Sequence, residues 1–260
     1  MNGKAKNRNN RRSLAHMSTL NVNILHFRKP WVTAWWSAAF PGFGHLLLGN
    51  HFKGAILIVW EVLINMQSHI NGAMVFSIHG KYKQAALIIN PRWVLLYIAV
   101  YIYAIWDSYR TTIEQNKVFT LAERENAPII RFQMNSLAVQ YLDLRSPWLA
   151  MVWSLLMPGL GQMYLHRIPT GFLLLIAWIV MAINSNFMEC LLLTIESWGR
   201  IHSPMDPQWS LFMPSIYGFA AFDAYVYAVE NNKLFEKAQR QWLEEEYQTL
   251  GFSIKSGAGG

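Results

Sequence analysis

The chain has 260 residues, of which 53% are hydrophobic, 14% aromatic and only 14% charged, with a net charge of +7. A soluble globule usually carries about 25% charged residues, so the composition argues against a polar-coated soluble domain and for an integral membrane protein. The single cysteine, Cys190, excludes a disulfide framework or a thiol-built zinc cluster within one chain.

Residues 1–16 are polar and basic without apolar periodicity, and are expected to be a disordered arm. The first 29 residues hold seven Lys or Arg and lead into a Trp-rich segment without a small-residue cleavage site, which is not the pattern of a signal peptide. Beside a membrane such an arm serves as a topology signal or touches anionic lipid, in preference to nucleic acid.

The stretch from Pro30 to Gly54 recurs from Pro147 to Gly171. An offset of 117 superposes Trp31 on Trp148, Ser37 on Ser154, Pro41-Gly42 on Pro158-Gly159, and Gly44 on Gly161. An offset of 116 pairs Pro91, Trp93, Asp107 and Asn116 with Pro207, Trp209, Asp223 and Asn232. This pattern predicts a tandem duplication: a first membrane repeat over 17–119, a linker over 120–133, a second repeat over 134–235, and a C-terminal helix with a flexible tail over 236–260.

Within each repeat, Leu14–Phe27 and Ile130–Leu144 are expected at the interface as short amphipathic or extended pieces. The segment Trp31–Gly49 should break at Pro41-Gly42, because proline lacks an amide donor and glycine tolerates any backbone angle. Second apolar helices are predicted over 52–70 and 169–188, then mixed loops over 71–90 and 189–206. Third helices enter at Pro91 and Pro207 and end near Lys117 and Lys233. Residues 234–247 are expected as a surface helix.

Two topologies fit. If the Pro-Gly segment spans, the repeats are inverted and the positive residues divide 15 to 7. If it is a re-entrant hairpin, each repeat crosses twice, the repeats are parallel about an axis normal to the membrane, and the division is 18 to 4. The sharper division favours the second, with both termini cytoplasmic. Irregular backbone at membrane depth must then be covered by protein.

Pro41, Gly42, Gly44, Leu47, Gly49 and Asp107, with Pro158, Gly159, Gly161, Tyr164 and Asp223, resemble small bacterial membrane domains. Those domains have a PG-x-G-x-x-Y-x-G turn and an Asp near the end of their last helix. Leu47 stands for the tyrosine in the first copy and His166 for the last glycine in the second. The resemblance implies a helix-hairpin membrane fold in the bacterial inner membrane and no reaction.

Asp107 and Asp223 are the leading site candidates, each on the order of 10 Å inside the end of an apolar run. An acid at that depth needs a partner or a function. One reading is an ion or proton site. The other, favoured because both features are duplicated together, is that each carboxylate accepts from backbone amides of the Pro-Gly turn. Arg110 could pair with Asp107 at i+3, although Val226 replaces it in the second copy. Glu61 lies within the second helix, with Trp178 at its place in the other repeat.

His45, His51, His69 and His79 all fall in the first repeat, and Gln162, Ile168 and Asn186 replace the first three, which argues against a duplicated metal site. Gln67-Ser68-His69 and Asn184-Ser185-Asn186 mark membrane boundaries. Trp31, Trp35, Trp36, Trp93, Trp106, Trp148, Trp153 and Trp209 suggest an interfacial belt. No nucleophile elbow, phosphate-binding glycine loop or His-Glu metal helix is present.

The sequence thus predicts an all-α, multi-pass membrane protein of two pseudo-twofold repeats, each a Pro-Gly hairpin, two spanning helices and a cytoplasmic extension. The expected role is a non-enzymatic subunit or scaffold without cofactor or metal. Its partners would be lipids and another membrane protein or further copies of itself, with no nucleic acid. The alternatives are a small transporter, channel or lipid-handling protein using the seam between repeats, and, least favoured, an enzyme of lipid or glycan metabolism.

Overall fold

The computed structural model describes residues 14–17, 21–125, 127, 129, 132–134, 139–196 and 205–247. The expectations for most of the basic arm, for much of the linker beyond Glu125 and for the C-terminal tail fall outside them. The architecture is all-α with two short hairpins of strand. In chain order come β1 (Ala15–Met17), β2 (Val22–Ile24), α1 (Pro30–Ala39), α2 (Phe43–Leu47), α3 (His51–Ser68), α4 (Ile70–Ile78), α5 (Tyr82–Ile88) and α6 (Pro91–Arg124). Then follow β3 (Phe132–Met134), β4 (Val139–Tyr141), α7 (Pro147–Leu156), α8 (Leu160–Tyr164), α9 (Ile168–Asn184), α10 (Phe187–Glu196), α11 (Pro207–Ser210) and α12 (Met213–Tyr247).

Proline opens α1, α6, α7 and α11, where its fixed φ suits the first helical turn and its missing amide costs nothing. The chain breaks after α1 and α7 as expected, and Gly42 and Gly159 both take a φ of 104°. Helix α2 then folds back along α1. A Cβ on Gly44 would collide with Ser37 Oγ and the Thr33 carbonyl, and one on Gly161 with Ser154 Oγ and the Ala150 carbonyl. The hairpin therefore returns to the end where it began, and Leu47 lies with Arg28 and Val32 around one cavity.

Helix α3 leaves from that end, and its 18 residues rise about 27 Å. It ends at His69 with a φ of 57°, and Asn186, just past α9, has a φ of 56°. The segment expected as a loop over 71–90 is helical in α4 and α5, and α10 covers the start of the other predicted loop. Helix α6 then runs back past the whole of α3, packing small residues on α1: Thr33 and Thr112 share a hydroxyl hydrogen bond of 2.6 Å, with Ser108 buried beside them. Ala150, Ala224 and Ala228 are likewise fully buried where α7 meets α12. Both long helices outrun the prediction: α6 continues to Arg124, and the residues expected as a separate surface helix belong to α12.

The interface pieces are antiparallel hairpins, β1 on β2 and β3 on β4, in the extended alternative. Each is tied to a long helix in the same way. The Asn116 amide accepts from Arg28 N–H and donates to its carbonyl, and Asn232 does the same for Arg145.

The core crosses the two halves. Phe40 stacks on Phe43 and Phe43 on Phe219 with ring centroids 4.6 and 4.2 Å apart, and Trp36 closes edge-on against Phe219. Trp209 is therefore buried in the core and Trp36, partly buried, packs against it, so neither belongs to a belt, whereas Trp31, Trp35 and Trp148 face outward. Among the described residues no single helix is long and apolar enough to cross a membrane. Two bent pairs, α5 with α6 at 88° and α9 with α10 at 61°, pass that test by length and composition.

Candidate functional site

The two aspartates sit where the hairpin, the start of the following helix and the long helix meet. Asp107 Oδ2 accepts from His45 Nε2 at 2.8 Å and from Lys53 Nζ at 2.5 Å, and Tyr103 donates its hydroxyl to Oδ1 at 3.3 Å. Asp223 Oδ2 accepts from Gln162 Nε2 at 3.0 Å and from Arg167 Nη1 at 2.6 Å. The donors are thus side chains of the hairpin and the helix behind it. The expected bonds from backbone amides of the Pro-Gly turn are not made. Nor does Arg110 reach Asp107: its Nε bonds Glu114 at 3.0 Å and its guanidinium lies over Trp106.

His45 and Gln162 occupy matching positions, and both are fully buried. A carboxylate only accepts, so His45 must carry its proton on Nε2, and its Nδ1 has no partner. Gln162 fixes itself further by donating to the Ala220 carbonyl at 2.9 Å. The cations come from unmatched positions. Lys53 is aligned with Thr170, and Arg167 with Asn50. Only the second cluster is sealed. Arg167 and Asp223 are each 3% exposed, against 40% for Lys53 and 14% for Asp107. Part of the sealing comes from the other half, where Arg167 Nη2 reaches the Leu46 carbonyl at 3.5 Å, and part from α12 of its own half, whose Tyr227 ring centroid lies 4.5 Å from the guanidinium.

Glu61 lies elsewhere, buried midway along α3, accepting from Asn65 at 3.3 Å and Tyr97 at 3.2 Å. Asn65 continues the network to Asn71 and Gln208 at 2.9 and 2.7 Å, so the polar chain from Glu61 ties α3 to the start of α11. His69, at the end of α3, shares a separate cavity with Gly72, Asp206 and Gln208. His51 contacts Asn21 and Thr170, and His79 bonds the Val75 carbonyl. Three or more metal-ligating side chains converge nowhere among the described residues.

His45, Lys53, Gln162 and Arg167 are the site residues that the sequence alone did not nominate. For His45 and Gln162 a signal existed, since both are N–H donors one residue beyond the second glycine of the turn. No such signal marks Lys53 and Arg167. Chemically, each cluster is a neutralised carboxylate: its charge is matched by one cation and its lone pairs by further donors, which locks helices together. Comparison with family models, with curated proteins and with solved structures finds no match.

Proposed function

We propose that the protein is a membrane-embedded, non-enzymatic scaffold or subunit, built of two parallel repeats that arose by duplication, which docks a membrane partner. The observation that carries this reading is the distribution of apolar side chains. Phe52, Ile56, Val59 and Leu63 form one outward stripe on α3, with Phe52 82% exposed, and Phe172, Ile176, Val180 and Ile183 form another on α9. Continuous apolar stripes of this kind along a helix mark an interaction face and suit lipid or a partner helix. The interior, by contrast, is closed by the Phe40–Phe43–Phe219 stack, and its aspartates are neutralised in place. That arrangement favours a structural role over passage of ions along the seam.

The duplication is supported by matched geometry at the matched offset, in the two Pro-Gly turns and in the Asn116 and Asn232 clamps. The re-entrant topology is supported by the return of α2 to the start of α1. In this reading the linker and both termini lie in the cytoplasm.

The test has two parts. The chain should stay in the membrane fraction through an alkaline carbonate wash, and its release would sink the membrane reading. In sealed proteoliposomes an imposed pH gradient should decay no faster than in empty vesicles. A proton leak abolished by Glu61→Gln or Asp107→Asn would replace the scaffold by a transporter.

A further inference from the structure

A cavity of about 310 Å³ opens between β2, the end of α2, the start of α3 and the second half's Arg167 and Tyr227. Its wall carries two guanidinium groups, Arg28 and Arg167, and no carboxylate. Arg167 is buried and its Nε has no acceptor. Arg28 is anchored through its backbone by Asn116, and among the described residues its guanidinium meets no hydrogen-bond acceptor and no carboxylate. Two acids, Asp223 and Glu230, act on Arg28 through space, but Asp223 is already paired with Arg167 and Glu230 with Lys233, and neither lies on the wall. Burial, and then the charge of Arg167, lower the pKa of Arg28 to about 10, so both remain charged at neutral pH and repel each other.

The rest of the wall fits the same sign. Asn50 heads the 18-residue α3 without capping it through its side chain, which leaves the positive end of that helix facing the cavity. Asn23 and Gln115 add neutral polar groups. The matching arginine of the second half is engaged otherwise: Arg145 lies over the Tyr164 ring at 5.4 Å and its Nη2 is 3.1 Å from His166. The site is therefore single and not duplicated.

We propose that this cavity binds an anionic phosphoryl group, held between Arg28 and Arg167. A phosphate offers the charge and the several acceptor oxygens that two guanidiniums and a helix N-terminus can saturate together. The same chemistry is presented by a free phosphate and by an anionic lipid headgroup. The site stands on the cavity itself and does not depend on partner docking.

The test uses the full chain purified in detergent and then in nanodiscs. Inorganic phosphate should raise the unfolding midpoint saturably where sodium chloride of equal ionic strength does not, or phosphatidic acid in phosphatidylcholine discs should do so where phosphatidylcholine alone does not. The first result identifies a soluble anion and the second a headgroup, and either supports the site. Arg28→Gln should weaken the response at least about tenfold, the loss of a charged hydrogen bond, while leaving the midpoint in chloride equal or higher because a repulsion is removed. Arg28 carries the test because Arg167 variants break a buried ion pair. Equal midpoints with either probe and its control, or a response that Arg28→Gln leaves unchanged, would overturn the proposal.

Discussion

Arg167 and Asp223 are each 3% exposed, whereas Lys53, which does the same service for Asp107, is 40% exposed. Removing one partner of a buried pair strands a charge, at about 3–5 kcal/mol, while a solvent-screened pair contributes about 1 kcal/mol or less. Asp223→Asn should therefore lower stability by about 3–5 kcal/mol and Lys53→Ala by no more than about 1 kcal/mol, measured as unfolding in one detergent. Equal losses would show that solvent screening at Lys53 is weaker than its exposure implies. A second residue-scale effect lies in His26, which is buried with Nδ1 unpartnered. Burial, followed by the charges of Arg28, Lys233 and Arg167, lowers its pKa from 6.5 to about 2. The unfolded chain then binds a proton that the folded chain does not, so the stabilisation is complete above pH 6.5 and is lost as pH falls below it. The loss is about 1.4 kcal/mol per pH unit. His26→Gln should flatten that acid limb of the stability curve, and an unaltered limb would assign it to other groups.

The hairpins are fixed by close approach of backbone to backbone. Gly161 has no room for a methyl group between Ser154 and the Ala150 carbonyl, and Gly44 none between Ser37 and the Thr33 carbonyl. Gly44→Ala and Gly161→Ala should each cost about 1–3 kcal/mol by overpacking, with thermal unfolding as the measure and Gly218→Ala, whose Cβ would meet only the Trp36 ring at 3.6 Å, as a control for an exposed helical glycine. A neutral Gly161→Ala would mean that α8 can slide away from α7 without loss. These turns were legible in the sequence because proline and glycine act locally, as were the entries at Pro91 and Pro207. Helices α4 and α5 were not legible. Asn71 and Gly72 break the apolar period in α4, as do Lys83 and Gln84 in α5, and what holds α4 is the distant Gln208, whose Oε1 accepts from Gly72 N–H at 2.8 Å. The partners of the aspartates were half legible. His45 and Gln162 share a register, but Lys53 and Arg167 stand three residues out of step, and only the packing of the α2–α3 and α8–α9 corners on the long helices brings each cation to its acid.

The arrangement of the whole molecule turns on which ends of the long helices lie together. Helix α6 carries Lys117 and Glu123 beyond its apolar part, and α12 carries Lys233 and Lys237 beyond its own. Lys237 Nζ lies 3.1 Å from Glu123 Oε1, so these ends share one side of the bundle, while Lys83, on the exposed surface of α5, lies at the other end of the 34-residue α6. Parallel repeats require this: each crosses twice and returns its last helix to the starting side. Inverted repeats would put Lys117 and Lys233 on opposite faces. In a Cys190→Ser background, single Lys117→Cys, Lys233→Cys and Lys83→Cys variants should divide two against one toward an impermeant thiol reagent added to sealed cells. Lys83→Cys should react outside, and the other two only after permeabilisation. Labelling of Lys117→Cys and Lys233→Cys from opposite sides would reject parallel repeats. It would also require the Glu123–Lys237 contact to be absent in the membrane, because no ion pair of that length can join two faces separated by a hydrocarbon layer of about 30 Å.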